Sequence, residues 1–204
     1  MHARSQYDEI VEIKIAARSF KVHKGIISFY SGFFDRAFNG EFAEGKNGVV
    51  TLHDEEIAVF ERFIAWIYRV KIEDDEPKNY WVLCKLWCFA DRREVPLLMN
   101  ACLDAIRDKV AKIWLVPTAQ LAYIYKNTTE NAGLRRLVRD LIAKTSGPEI
   151  LDSNKDWDGE MLRDLLKIVW GLKPSEELNK KQVEALDVCQ YHQHEEGIKC
   201  PKKT

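Results

Sequence analysis

The sequence predicts an α+β fold: a small sheet covered by a helical cluster and continued by a helical C-terminal extension. Two observations carry this. Near the start of the chain Val11, Ile13 and Ile15 alternate with Glu12 and Lys14, the period of a strand with one buried face. From residue 57 onward apolar side chains return every three or four positions, stripe after stripe, which is the period of core-facing helices.

In chain order, Phe20 and Val22 continue the strand alternation after a turn at Ala17-Arg18. That turn has neither Gly nor Asn, so a tight two-residue hairpin is not signalled. Two apolar-rich helical segments follow between Lys24 and Asn39, then a glycine-containing loop, then a third strand marked by Val50 and Leu52. Ile57, Phe60, Ile64 and Ile67 share one helical face. Tyr80, Leu83, Cys84, Trp87 and Cys88 form the next stripe, with Asn79 placed to cap it. Leu98, Cys102, Ala105 and Ile106 form a third, opened by Pro96, whose φ is already helical. Beyond Val110 helical patterns cover about residues 118–125 and the stripe Leu134, Leu137, Val138, Leu141, Ile142, which Ser146-Gly147-Pro148 breaks. A last helix over about 158–170 carries Leu162, Leu165, Leu166 and Val169 on one face and ends at Gly171 and Pro174. This divides the chain into a domain over 1–112, a helical extension over 113–174 and a polar tail over 175–204.

Composition narrows the function classes. The 204 residues are 46% hydrophobic and 31% charged, enough to bury a core. A formal net charge of -1 argues against general binding of nucleic acid, which needs a basic footprint. No window reaches 18 apolar residues, so no membrane span is expected, and the N-terminus lacks the apolar stretch of a signal peptide. An intracellular protein, in cytoplasm or nucleus, with reduced thiols is the expectation, and the five cysteines then read as core residues or metal ligands.

Several motifs invite chemistry. Gly40 to Asn47 nearly matches a phosphate-binding loop, but Asn47 replaces the magnesium-binding hydroxyl, Glu41 and Glu44 repel phosphate, and the segment precedes a strand rather than a helix. His23 has no nucleophile or carboxylate partner in sequence, and no catalytic constellation appears elsewhere, so no enzyme is expected. Cys84, Cys88 and Cys102 stand among large apolar residues and read as core. The tail differs: Cys189, His192, His194 and Cys200 bring four soft donors into twelve positions with polar neighbours. Four such ligands make a closed tetrahedral zinc site. A tail with scattered Cys and His is the competing reading, since the spacing matches no standard finger.

The order of features resembles the BTB/POZ family, of the type abundant in filamentous fungi. The resemblance rests on Glu9-Ile10-Val11, Val22-His23-Lys24, Ser31 to Phe34, the loop residues Asn39, Gly40, Phe42 and Glu44, then Trp66-Ile67-Tyr68, then Leu86, Phe89, Ala90 and Asp91, followed by Arg93, Val95 and Leu97. It departs where Ala16-Ala17-Arg18-Ser19 replaces a Gly-rich turn and where Tyr68-Arg69-Val70 replaces Tyr-Thr-Gly. The resemblance implies a BTB/POZ fold, a structural role for His23, and protein–protein interaction rather than chemistry. It implies a homodimer through the BTB domain and an adaptor role on a cullin-type ubiquitin-ligase scaffold. There Ile72, Glu73 and Asp74, at the head of the acidic run ending at Glu76, would be the partner-binding element. The alternative is a self-associating or transcription-linked scaffold with no ligase role. No kelch repeat, MATH domain or zinc-finger array follows.

Overall fold

The computed structural model describes residues 9–40, 47–72, 79–153, 157, 159–171 and 178–194. They fall into two compact units, Met1–Glu73 with Cys88–Met99, and Asp74–Trp87 with Asn100–Thr204.

The first unit holds the sheet. Strand β1 (Ile10–Ile15) lies in the middle, antiparallel to β2 (Arg18–His23) and parallel to β3 (Val49–Leu52). Alternation puts Val11, Ile13 and Ile15 on the covered face at 2%, 0% and 0% exposure, as their sequence pattern requires. Ile15 pairs with Arg18, so the hairpin closes over two residues, Ala16 and Ala17. This corrects the turn expected at Ala17-Arg18. The tight turn forms without glycine because Ala16 itself takes a left-handed φ of 50°.

A parallel β1–β3 pair needs a crossover, supplied by α1 (Lys24–Tyr30) and α2 (Gly32–Asn39). Ser31 joins them and is fully buried. Its Oγ accepts from the Phe34 N–H at 3.2 Å, capping α2, and donates to the Arg93 carbonyl at 2.5 Å. The Ser-x-x-Phe pattern thus has a mechanism: the hydroxyl starts the helix that carries Phe34 into an aromatic cluster. Phe34 stacks on Phe38 and Phe63, with centroids 6.1 Å apart in each pair, and Phe63 meets Phe89 at 5.1 Å.

Helix α3 (Ile57–Arg69) buries Val59, Phe60, Phe63, Trp66 and Ile67, with Ile57 and Ile64 at the margins of the expected face. It ends at Val70, which adopts φ 52°, ψ 30° and donates its N–H to the Trp66 carbonyl at 2.7 Å. The carboxylate of Glu55, 3% exposed, is held by Arg92 and Arg93, each at 2.8 Å.

Helices α4 (Trp81–Arg92) and α5 (Pro96–Ile113) each contribute residues to both units. Asn79 caps α4 by accepting from the Trp81 N–H at 2.8 Å. The second unit adds α6 (Leu121–Asn127), α7 (Gly133–Thr145), α8 (Gly159–Gly171) and α9 (Lys180–Glu184), with short 3₁₀ segments at Thr118–Gln120, Pro148–Ser153 and Val188–Tyr191. Cys84, Cys88 and Cys102 are buried, in agreement with their reading as core.

Helix α8 departs from its expected stripe. It buries Met161, Asp164 and Leu165, while Leu166, Val169 and Trp170 stay 46%, 49% and 81% exposed. Asp164 is drawn inward by Arg135 of α7, itself only 3% exposed. The guanidinium bonds Asp164 Oδ2 at 3.1 Å, pairs also with Glu160, and lies 3.8 Å from the Tyr125 ring centroid. Tyr125 donates its hydroxyl proton to the same Asp164 oxygen at 3.1 Å. Burial, reinforced by the Asp164 charge, pushes the Tyr125 phenol up to about 12.

Candidate functional site

Two places in the molecule collect features that a folded core does not require. The first lies in the sheet-bearing unit. Ile10 of β1 pairs with His23 of β2, and the His23 ring meets Tyr68 at the end of α3, Nδ1 to hydroxyl 2.8 Å. Two residues on is Val70. Ile10, Tyr68 and Val70 are 49%, 45% and 62% exposed, which leaves apolar surface open to solvent at the strand end and at the end of α3. The His23 ring, half-buried, is thus paired with a phenol. Ile72, half-buried, follows directly, whereas Glu73 and Asp74 lie outside the described residues.

The second place is the C-terminal turn of the helical unit, and it is assembled from distant elements. Asp187 starts the turn by accepting from the Cys189 N–H at 2.9 Å. Tyr191, 3% exposed, donates to Asp140 Oδ2 at 2.9 Å, and burial keeps its phenol protonated well above the ordinary range. The Tyr191 carbonyl passes so close to Gly133 that a Cβ there would lie 2.2 Å away, so α7 opens with glycine at the point of closest approach. Arg136 donates to the Gln190 carbonyl at 3.0 Å, and Arg107 to the Leu186 carbonyl at 3.3 Å. Asn100 makes a two-way amide pair with the Gln193 backbone, 3.0 Å in each direction.

This scaffold holds three of the four sequence-predicted donors. Cys189 Sγ lies 3.4 Å from His194 Nε2, and the His192 and His194 rings are 5.8 Å apart. His192 Nε2 stands 3.8 Å from Asp104 Oδ1. Burial lowers the His192 pKa, opposed by Asp104 and aided by His194 and Arg107, which favours the neutral ring. Cys200 lies outside the described residues, and among those described no three His, Cys, Asp or Glu side chains stand together within metal-ligating reach. Sequence reasoning missed Asn100, Asp104, Gly133 and Asp140, none of which carries a local motif. No helix among the described residues is long and apolar enough to cross a membrane.

The family model for the BTB/POZ domain matches residues 3–109. The chain belongs to the BTB/POZ family. That family is a non-enzymatic protein-interaction module, and the α+β arrangement of sheet and helices is its fold. Among curated relatives, the mouse TD and POZ domain-containing protein 4 is 30% identical over 45% of this chain and 24% of its own length. The mouse Kelch repeat and BTB domain-containing protein 4 is 34% identical over 38% of this chain and 15% of its own length. This BTB/POZ chain thus matches only a minor part of either relative. Among solved structures, the BTB domain of zebrafish PATZ1 aligns with 48% of this chain and 75% of its own, at 18% identity and a TM-score of 0.39. The BTB domain of human Gigaxonin aligns with 50% and 79%, at 15% identity and a TM-score of 0.40.

Proposed function

We propose that this BTB/POZ protein is an adaptor with two protein-binding surfaces. The domain within 1–112 associates with a second copy of itself, and the segment Ile72-Glu73-Asp74 docks on a cullin-type ubiquitin-ligase scaffold. The observation that carries the reading is the exposure of the apolar side chains Ile10, Tyr68 and Val70, the last of them followed in sequence by the acidic segment. Stable, obligate interfaces of apolar character commonly bury over ~2,000 Å². Apolar surface at the strand end gives such an interface its centre.

Light scattering at micromolar concentration tests the first surface. The expected mass is twice 23.7 kDa, and Tyr68→Asp with Val70→Asp should return a folded monomer. A wild-type monomer would sink the homodimer. For the second surface, Glu73→Lys with Asp74→Lys should slow encounter with the scaffold while leaving the melting temperature unchanged. If the wild-type chain dimerises but binds no cullin, the self-associating scaffold reading replaces the adaptor.

A further inference from the structure

Helix α8 carries more apolar surface than its own packing uses. Met161, Asp164 and Leu165 turn inward, which leaves Leu166, Val169 and Trp170 in solvent and Leu162 half-buried. The spacing i, i+4, i+7 and i+8 sets these four apolar side chains in one stripe down the helix. Trp170 is the most exposed large apolar side chain among the described residues.

One flank of the stripe carries charge of a single sign. Arg163 and Lys167 are exposed and stand one turn apart, a spacing at which like charges repel. The two acids of the helix do not offset them, because Arg135 of α7 holds both Glu160 and Asp164. Among the described residues neither Arg163 nor Lys167 has an ion-pair partner. Helix α7, packed against α8, adds four cations and one acid, Asp140, which already receives the Tyr191 hydroxyl.

An apolar stripe beside an unpaired positive flank complements a helix whose apolar row runs beside carboxylates. A second copy of α8 fits worse. An antiparallel pair brings the same flank of each helix together, cation to cation, and a parallel pair sets it against an edge of α8 that holds no acid. The stripe lies on one helix about 20 Å long, well short of the ~2,000 Å² that obligate self-association commonly buries. A lipid surface also fits worse, since interfacial helices are rich in Lys and Arg and α8 has two free cations.

We propose that α8 docks an acidic amphipathic helix of a partner protein, with Trp170 as the anchor and Arg163 and Lys167 paired to its carboxylates. This surface belongs to the helical unit and depends on neither the dimer nor the cullin reading.

The test uses the full chain and a stapled synthetic helix of about 18 residues, five turns, as probe. The probe carries Leu at i, i+3, i+4 and i+7 and Glu on the flanks; its twin carries Lys in place of Glu. By fluorescence anisotropy the Glu helix should bind saturably and its Lys twin at least about tenfold more weakly. Trp170→Ser should weaken binding about tenfold or more with the fold intact. Arg163→Glu with Lys167→Glu should invert the preference between the two helices. The bound probe should slow amide exchange over 159–171 and leave β1–β3 unchanged. No saturable binding to folded wild-type protein, or equal binding of the two helices, overturns the proposal. Two other results overturn it as well. One is binding to phosphatidylserine vesicles that Trp170→Ser abolishes, which makes this a lipid face. The other is an oligomer that survives Tyr68→Asp with Val70→Asp but is lost in Trp170→Ser, which makes it a contact between copies.

Discussion

Val70 sits at φ 52° with its side chain in solvent, a conformation that costs an ordinary L-residue roughly 1–2 kcal/mol and is a true outlier for a β-branched one. The BTB resemblance puts a glycine here. Val70→Gly should therefore stabilise the monomeric fold by about 1 kcal/mol, raising its melting temperature by about 2–4 °C. An unchanged or lower value would refute the strain argument. The same substitution removes an apolar group from the proposed dimer patch and should weaken association, so stability and self-binding are set against each other at one residue. A second residue-scale test concerns Asp164. Replacing it with Ala leaves the Arg135 guanidinium buried with a poorer set of partners and should cost roughly 3–5 kcal/mol in denaturant unfolding. The pair Arg135→Met, Asp164→Leu should recover most of that loss. Tyr125 adds a pH dependence with a definite sign. Its folded pKa, about 12, exceeds the ordinary 10.0, so the folded chain keeps a proton that the unfolded chain releases. The stability this contributes is whole below pH 10 and is lost as pH rises toward 12. In Tyr125→Phe the drop across that range should be shallower.

At the scale of elements, α8 shows where periodicity stops being informative. Seven of its thirteen positions from Gly159 to Gly171 are large and apolar, more than one face can hold. Which wedge turns inward is settled by Arg135 on another helix, because a buried cation draws Asp164, and with it Met161 and Leu165, to the inside. Leu165→Ala should cost about 2–5 kcal/mol, whereas Trp170→Ser should stay within about 0.5 kcal/mol of wild type in the same thermal melts. Equal costs would mean that the inward face has been misassigned. The contrast explains what could be read in advance. The alternation of β1 and the stripes of α4, α5 and α7 were legible, since each reports its own burial. Asn79 was legible as a polar residue just ahead of an apolar period, whereas Ser31 stood out only within the family resemblance. The Ala16 turn was not, because its φ is imposed by the strand pairing that it joins. In the C-terminal turn, residue types and spacing gave Cys189, His192 and His194. Asn100 and Gln193, by contrast, are 93 residues apart and only the fold makes them neighbours.

At the scale of the whole molecule, the helical unit depends on a segment far along the chain. Ending the chain after Ala185 would strip partners from Asn100, Arg107, Arg136 and Asp140 and uncover the packing sites of Val188 and Tyr191. Amide exchange should then rise through α7, while the strands of the other unit keep their protection. Loss of protection in β1 would show that the two units unfold as one. The long reach of these contacts also bears on biosynthesis. At translation rates of about 5–20 residues per second, roughly 5–20 seconds separate the emergence of Asn100 from that of Gln193. The sheet, its crossover and the aromatic cluster are all encoded before residue 100. They can be assembled on the ribosome while α5 still presents Asn100, Asp104 and Arg107 to water. The nascent chain thus acquires the exposed side chains of Ile10, Tyr68 and Val70 well before the turn that closes on α5 and α7.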